Sequence, residues 1–140
     1  MQEAENSKTI QDMYAAFSRG DIQGVLAHID EQVLWRPVLG TASYVPTAGE
    51  RRGKVAVAEF FKILGETVAF QEFQAKQFVA QGDTVVALGH YAATAKTTGR
   101  PFKSEFTMVF TLKNRKVVEF KEFADSAAIN ASFQNASARV

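Results

Sequence analysis

Phe102-Lys103-Ser104-Glu105-Phe106-Thr107-Met108-Val109-Phe110-Thr111-Leu112-Lys113 is the stretch whose reading decides the fold. Phe102, Ser104, Phe106, Met108, Phe110 and Leu112 share one parity, and Lys103, Glu105, Thr107, Val109, Thr111 and Lys113 share the other. Alternation with period two is the mark of a strand that is apolar on one side, so the phenylalanine face must be the inner one. Three further runs of β character lie near residues 70–81, 84–97 and 117–124. The separators are Gln81-Gly82-Asp83, Thr98-Gly99-Arg100-Pro101 and Asn114-Arg115, all short turn sequences. Strands joined so tightly predict an antiparallel meander.

Upstream of the meander the period changes. Ile10, Met13, Tyr14 and Phe17 fall at i, i+3, i+4, i+7, and Ile22, Val25, Leu26 and Ile29 repeat the spacing, which predicts helices over 7–19 and 21–29. Between them, Gly20 suits the left-handed residue that ends a helix, and Asp21 is a favoured N-cap. Val33-Leu34-Trp35-Arg36 reads as a short strand stopped by Pro37. The 38–52 segment, broken by Gly40, Pro46 and Gly49, is long for a loop and is expected to act as a lid over a pocket mouth. Val57, Phe60, Phe61, Leu64 and Val68 mark a third helix from Lys54. Asp125-Ser126 caps a last short helix through Ile129 and Phe133, followed by a loose tail from Gln134 to Val140. Helices first and a meander afterwards make an α+β domain spanning 1–140, with the helices packed on one sheet face.

Composition narrows the function classes. Hydrophobic residues are 46% and charged ones 22%, as in a folded globular domain. Sixteen basic against fifteen acidic residues leave a net charge of +1, which gives no general attraction to nucleic acid or anionic lipid. With no cysteine, disulfides, thiolate metal sites and cysteine nucleophiles are absent, and the two histidines stand at unrelated positions, so no metal is implied. No glycine-rich phosphate loop or nucleophile elbow occurs. The first residues have no signal-peptide pattern and no apolar run would span a bilayer, so a cytoplasmic protein with no membrane or nucleic-acid partner is expected. Twelve Phe, most of them downstream of residue 60, point to a core or pocket walled by aromatic rings.

Ala15-Ala-Phe-Ser-Arg-Gly-Asp21, Arg52-Gly-Lys-Val-Ala-Val-Ala-Glu-Phe-Phe61, Gly82-Asp-Thr-Val-Val86, Thr98-Gly-Arg-Pro101 and Phe120-Lys-Glu-Phe-Ala-Asp125 carry a resemblance over nearly the whole chain. In this order they resemble the SnoaL-like, ketosteroid-isomerase-related branch of the nuclear-transport-factor-two-like superfamily. That resemblance implies a cone: a curved antiparallel sheet wrapped around three N-terminal helices, enclosing one apolar pocket. It implies no single activity, because isomerases, cyclases, dehydratases, epoxide hydrolases and non-catalytic proteins share the fold. Against ketosteroid isomerases, Met13 falls at the oxyanion-hole Tyr, Arg36 at the general base and Met108 at the second carboxylic acid, so all three groups of that chemistry are changed. Against limonene epoxide hydrolase, Gly89 and Tyr91 fall at the Arg and first Asp, and Glu122 keeps the second carboxylate.

Glu122, on the face of Phe120 and Ala124, is the leading candidate. A carboxylate among phenylalanines is desolvated and its pKa rises towards neutrality, as a proton carrier requires. Three readings stay open for it: base or acid, polar anchor or structural pair, and solvent-facing. Tyr91, of the same parity as Gly89 and Ala93, and Tyr14 on the first helix are candidate donors to a ligand carbonyl. Of the alternating pair Trp35 and Arg36, Arg36 is expected to face inward, where it would bind a carboxylate or pair with Glu122. Ligand contacts are assigned to Arg36, Trp35, Tyr44, Phe60, Phe106, Met108 and Phe110. Asp125 reads as a helix cap, His90 as outward-facing and His28 as exposed or helix-capping. The expected ligand is a small apolar or mixed-polarity molecule handled without cofactor. Three functions remain: acid/base catalysis of isomerisation, cyclisation, dehydration or hydration; ligand binding without turnover; and an interaction domain. A homodimer through the outer sheet face is expected.

Overall fold

The computed structural model describes residues 2–134, so Met1 and most of the tail expected from Gln134 onward lie outside the described residues. Helix α1 (Gln2–Ser18) begins five residues before the expected start and buries Ile10, Met13 and Ala16. Gly20, at φ 74°, ends the turn after it. Asp21 then accepts from the backbone N–H of Gly24 at 2.9 Å and caps α2 (Ile22–Leu26). This second helix is shorter than its apolar spacing predicts, because Ile29 is taken into β1 (Ile29–Arg36), opposite Val117 of the far strand. Long-range pairing has overridden a local helical period.

After the 37–50 loop come β2 (Arg51–Arg52) and α3 (Lys54–Thr67), which buries Val57 and Phe60. The meander follows as β3 (Val68–Gln81), β4 (Thr84–Ala95), β5 (Arg100–Lys113) and β6 (Lys116–Ala124), ending in α4 (Ser126–Ser132). All four expected strands are present and antiparallel, and Phe102, Phe106, Met108, Phe110 and Leu112 are buried as their parity requires.

The sheet has six strands in the order β2-β1-β6-β5-β4-β3 and is mixed, because β1 runs parallel to β6. That corrects a purely antiparallel expectation; the reason is that β1 enters beside β6 through a long crossover rather than a hairpin. The sheet is curved and open, with register shifts between Phe70 and Glu72 and between Ala75 and Gln77 of β3. Such bulges bend a strand and raise its twist. The α+β cone results, with α1 and α3 packed against its sheet. No helix among the described residues is long and apolar enough to cross a membrane.

Candidate functional site

Inside the cone lies a cavity of about 120 Å³, walled almost wholly by apolar side chains. An engineered dry cavity of roughly 150 Å³ holds benzene, so the space here is on the scale of one ring. Met13 and Tyr14 come from α1, Phe60 and Phe61 from α3, Phe70 and Phe73 from β3. Met108, Phe110 and Phe120 form the sheet side, and Ile129 and Phe133 close it from the α4 end.

Two polar groups meet in this wall. Tyr91 on β4 and Glu122 on β6 are 4% and 7% exposed, and the Tyr91 hydroxyl donates to Glu122 Oε2 at 2.8 Å. Tyr91 stands opposite Ser104 and Glu122 opposite Met108, so the bond passes over the whole of β5. Sheet curvature makes that reach possible. Burial pushes the Glu122 carboxyl from its ordinary 4.5 up to about 7, and the hydrogen bond from Tyr91, which favours the ionised form, holds it from rising further. The Tyr91 phenol is itself raised, first by burial and then by the Glu122 charge and hydrogen bond. Tyr14 is raised by burial and by Glu122. Both phenols therefore remain donors near neutrality. The Tyr14 hydroxyl donates to the Met108 thioether at 2.8 Å, a weak acceptor that a ligand oxygen can displace.

Trp35 and Arg36 reverse the expected orientation. Trp35 is 3% exposed, lines the cavity and stacks on Phe120 with ring centroids 4.0 Å apart. Arg36 lies on the outer side, half-exposed, 3.6 Å from Glu50 and 3.9 Å from Glu119. Val33 and Trp35 share a parity and are both buried; turning that apolar pair inward leaves the guanidinium in water, where its charge costs least. The local alternation Val33-x-Trp35 already carries this signal, which a positional match to a catalytic group overrode.

Tyr44 is also displaced from its expected place. It is 48% exposed, outside the cavity wall, and its hydroxyl donates to the Asn130 carbonyl at 3.1 Å. The loop reaches the cavity instead through Val38, Thr41 and Thr47. It is pinned at both ends. Ala42 N–H donates to Asn130 Oδ1 at 2.7 Å, and the Arg51 guanidinium donates to the Thr47, Ala48 and Gly49 carbonyls at 2.6, 3.0 and 2.8 Å while sitting 5.2 Å over the Phe60 ring. Neither Arg51 nor Asn130 is marked by any motif in the sequence.

Phe60, Met108 and Phe110 line the cavity, whereas Phe106 is buried behind it, stacked on Tyr91 and Phe73. His90 sits on the outer face, 3.4 Å from Glu72, and Asp125 caps α4 by accepting from Ala128 N–H at 3.0 Å. Gly89 is where the backbone of β3 comes closest: a Cβ there would lie 1.9 Å from the Gln74 carbonyl and 2.7 Å from Phe106. No side chain fits at that position, so the arginine of the epoxide-hydrolase pattern has no room. Among the described residues, no group of three or more His, Asp or Glu is arranged to hold a metal ion.

The profile of the SnoaL-like domain family matches residues 10–120. No match emerged among curated proteins. Among solved structures, an NTF2-like protein from Burkholderia xenovorans LB400 is 30% identical, with 94% of this chain and 98% of that one covered at a TM-score of 0.84. TerC, co-crystallised with polyporic acid, is 23% identical over 92% of this chain and 98% of its own, with a TM-score of 0.78. A candidate SnoaL-like polyketide cyclase from Mesorhizobium loti is 18% identical over 88% and 99%, with a TM-score of 0.72. These last two share the fold.

Proposed function

The chain belongs to the SnoaL-like domain family and is a small-molecule-binding protein of the NTF2-like kind; from that premise we propose that its cavity performs cofactor-independent acid/base chemistry on a small, neutral, oxygenated ring. The observation that carries the reading is a buried carboxyl with a pKa of about 7, held by one tyrosine inside an apolar cavity. A general acid or base works best when its pKa lies near the operating pH. Tyr91 occupies Oε2 and leaves Oε1 for the substrate. In the base direction, Glu122 Oε1 takes the proton from a carbon next to a ligand carbonyl. Tyr14, released from Met108, donates to the oxygen on which the negative charge gathers. Return of the proton to another carbon completes an isomerisation; attack by the enolate carbon, or loss of a hydroxyl from it, gives cyclisation or dehydration.

Ligand binding without turnover is the second reading, favoured by the fact that Glu122 already has a partner in Tyr91. Cyclohexanone in D₂O separates the two. Wild-type protein is expected to speed deuterium entry next to the carbonyl, with a rate that rises with pH through about 7 as Glu122 ionises. Glu122→Gln should lower the rate by about 10²-fold or more. Exchange no faster than in buffer would leave the binding reading standing alone.

A second copy of the chain is the partner we propose for the outer face. Val79, Val86 and Val109 form one row across three strands, and the adjacent Phe123 is 45% exposed. Sedimentation equilibrium should find a dimer that Phe123→Lys dissociates; a monomeric wild type would refute it.

A further inference from the structure

The cavity wall is not equally firm on all sides. Across β4, β5 and β6 it is a continuous antiparallel ladder. Between α1 and β3 it is closed by rings: Phe73 has the centroids of Tyr14, Phe17, Phe70, Tyr91 and Phe106 between 5.0 and 6.1 Å from its own. The remaining side is made by the 37–50 loop and α4, and the hydrogen bonds that join these two among the described residues all involve Asn130. Its Oδ1 accepts from Ala42 N–H at 2.7 Å, its Nδ2 donates to the Gly40 carbonyl at 3.4 Å, and its own carbonyl accepts from the Tyr44 hydroxyl at 3.1 Å. Its helix neighbours Ile129 and Phe133 line the cavity.

The segment bound by Asn130 is short and is tied down beyond both of its ends. Before it, Leu39 N–H donates to the Glu122 carbonyl at 3.1 Å. After it, Val45 is 1% exposed, and the carbonyls that follow are gathered by Arg51. Helix α4 is fixed as well, through Asp125 N–H to Ser104 Oγ at 2.8 Å and through the Thr98 hydroxyl to the Ser132 carbonyl. What can part is residues 40–44. Gly40, at φ 88°, has a torsion that glycine takes at no steric cost and supplies a hinge. Thr41 lies within this segment and lines the cavity, its hydroxyl donating to the Val38 carbonyl at 2.6 Å. Lifting 40–44 therefore takes away a piece of the wall itself.

We propose that residues 40–44 form a flap latched by Asn130, and that a ligand reaches the cavity by lifting it. The inference supplies an entrance to the ligand cavity and rests on that cavity, not on the acid/base step. Closed, the flap keeps bulk water out of the space around the ligand; open, it exchanges three hydrogen bonds with Asn130 for bonds to water, a small cost that allows opening without unfolding.

The chain has no cysteine, so Met13→Cys places a single thiol in the cavity wall, at a position 4% exposed. Methyl methanethiosulfonate, small and neutral, labels such a thiol at a rate set by the fraction of molecules that are open, and mass spectrometry follows it. Adding Asn130→Ala removes two of the three latch bonds and should speed labelling by about ten-fold. Adding Val117→Ala, which loosens the fully buried core outside the cavity wall, should leave the rate nearly unchanged. Labelling unaffected by Asn130→Ala, or quickened equally by Val117→Ala, would overturn the flap. Cyclohexanone tests the cavity separately: protection of the thiol without an Asn130 effect sinks the flap alone, and absence of both sinks flap and ligand cavity together. Tyr44→Phe removes the third bond from an exposed side chain and should quicken labelling by about two-fold, which decides the matter even where Asn130→Ala fails to fold.

Discussion

Replacing Glu122 by Gln keeps the shape of the side chain and an oxygen for the Tyr91 hydroxyl, and removes one titrating group. Burial raises this carboxyl from 4.5 to about 7. Between those two values the folded chain keeps a proton that the unfolded chain has released. Linkage then gives the sign: the carboxyl's contribution to stability is fully present below pH 4.5, declines as pH rises, and is lost above about 7. At about 1.4 kcal/mol per pKa unit, the gap amounts to about 3 kcal/mol. With a urea m-value near 2 kcal/mol/M, the midpoint of wild type should fall by roughly 1.5 M relative to the variant between acid and mildly alkaline pH. Urea unfolding followed by circular dichroism, repeated across that range for both proteins, measures it. The difference between the two curves isolates Glu122, since it is the one group in which the two proteins differ. A difference that stays flat with pH, or grows in favour of wild type as pH rises, would refute the description of Glu122 as a buried carboxyl with a raised pKa.

Three further perturbations follow from the same geometry. Tyr91→Phe removes the one hydrogen bond that lowers the Glu122 pKa, so carboxyl titration by ¹³C NMR should move above 7, by about 1 to 2 units if the bond to the charged form is worth about 1.5–3 kcal/mol; an unchanged titration would show that Tyr91 does not hold Glu122. Arg51→Lys keeps the charge but loses the planar fork that gathers the Thr47, Ala48 and Gly49 carbonyls. Amide hydrogen exchange over 41–50 should quicken and stability fall by about 1–2 kcal/mol, whereas protection equal to wild type would mean that Asn130 alone anchors the loop. Gly89→Ala puts a methyl 1.9 Å from the Gln74 carbonyl, so the β3–β4 pairing must open and the protein should lose about 3 kcal/mol or more. A thermal midpoint within a few degrees of wild type would contradict the close approach of those strands.

The resemblance and the parity of residues 102–113 led to the same cone, and both rest on local information. A strand with one wet face must alternate, and short turns leave little choice but antiparallel neighbours. Parity put Tyr91 on the inner side, whereas for Glu122 it was the resemblance that turned the face of Phe120 and Ala124 inward. Ile29 shows where local reading stops: its spacing continues a helix, yet pairing with Val117 draws it into β1. Trp35 and Arg36 show how a positional match can mislead, since the plain alternation with Val33 marks the correct inward residue.

Sequence alone determined the period of the meander strands and of the first and third helices, the turns between strands and the absence of thiol chemistry, and it marked Glu122 as a carboxylate on the face of Phe120 while leaving its burial open. These depend on neighbours a few positions apart. Tertiary structure decided the parallel β1–β6 pair, the Tyr91–Glu122 bond across β5, the loop held by Arg51 and Asn130, and the stacking of Trp35 on Phe120. Each of those joins residues brought together by the curvature of the sheet or the packing of the loop, and neither can be read from the spacing of side chains along a single strand.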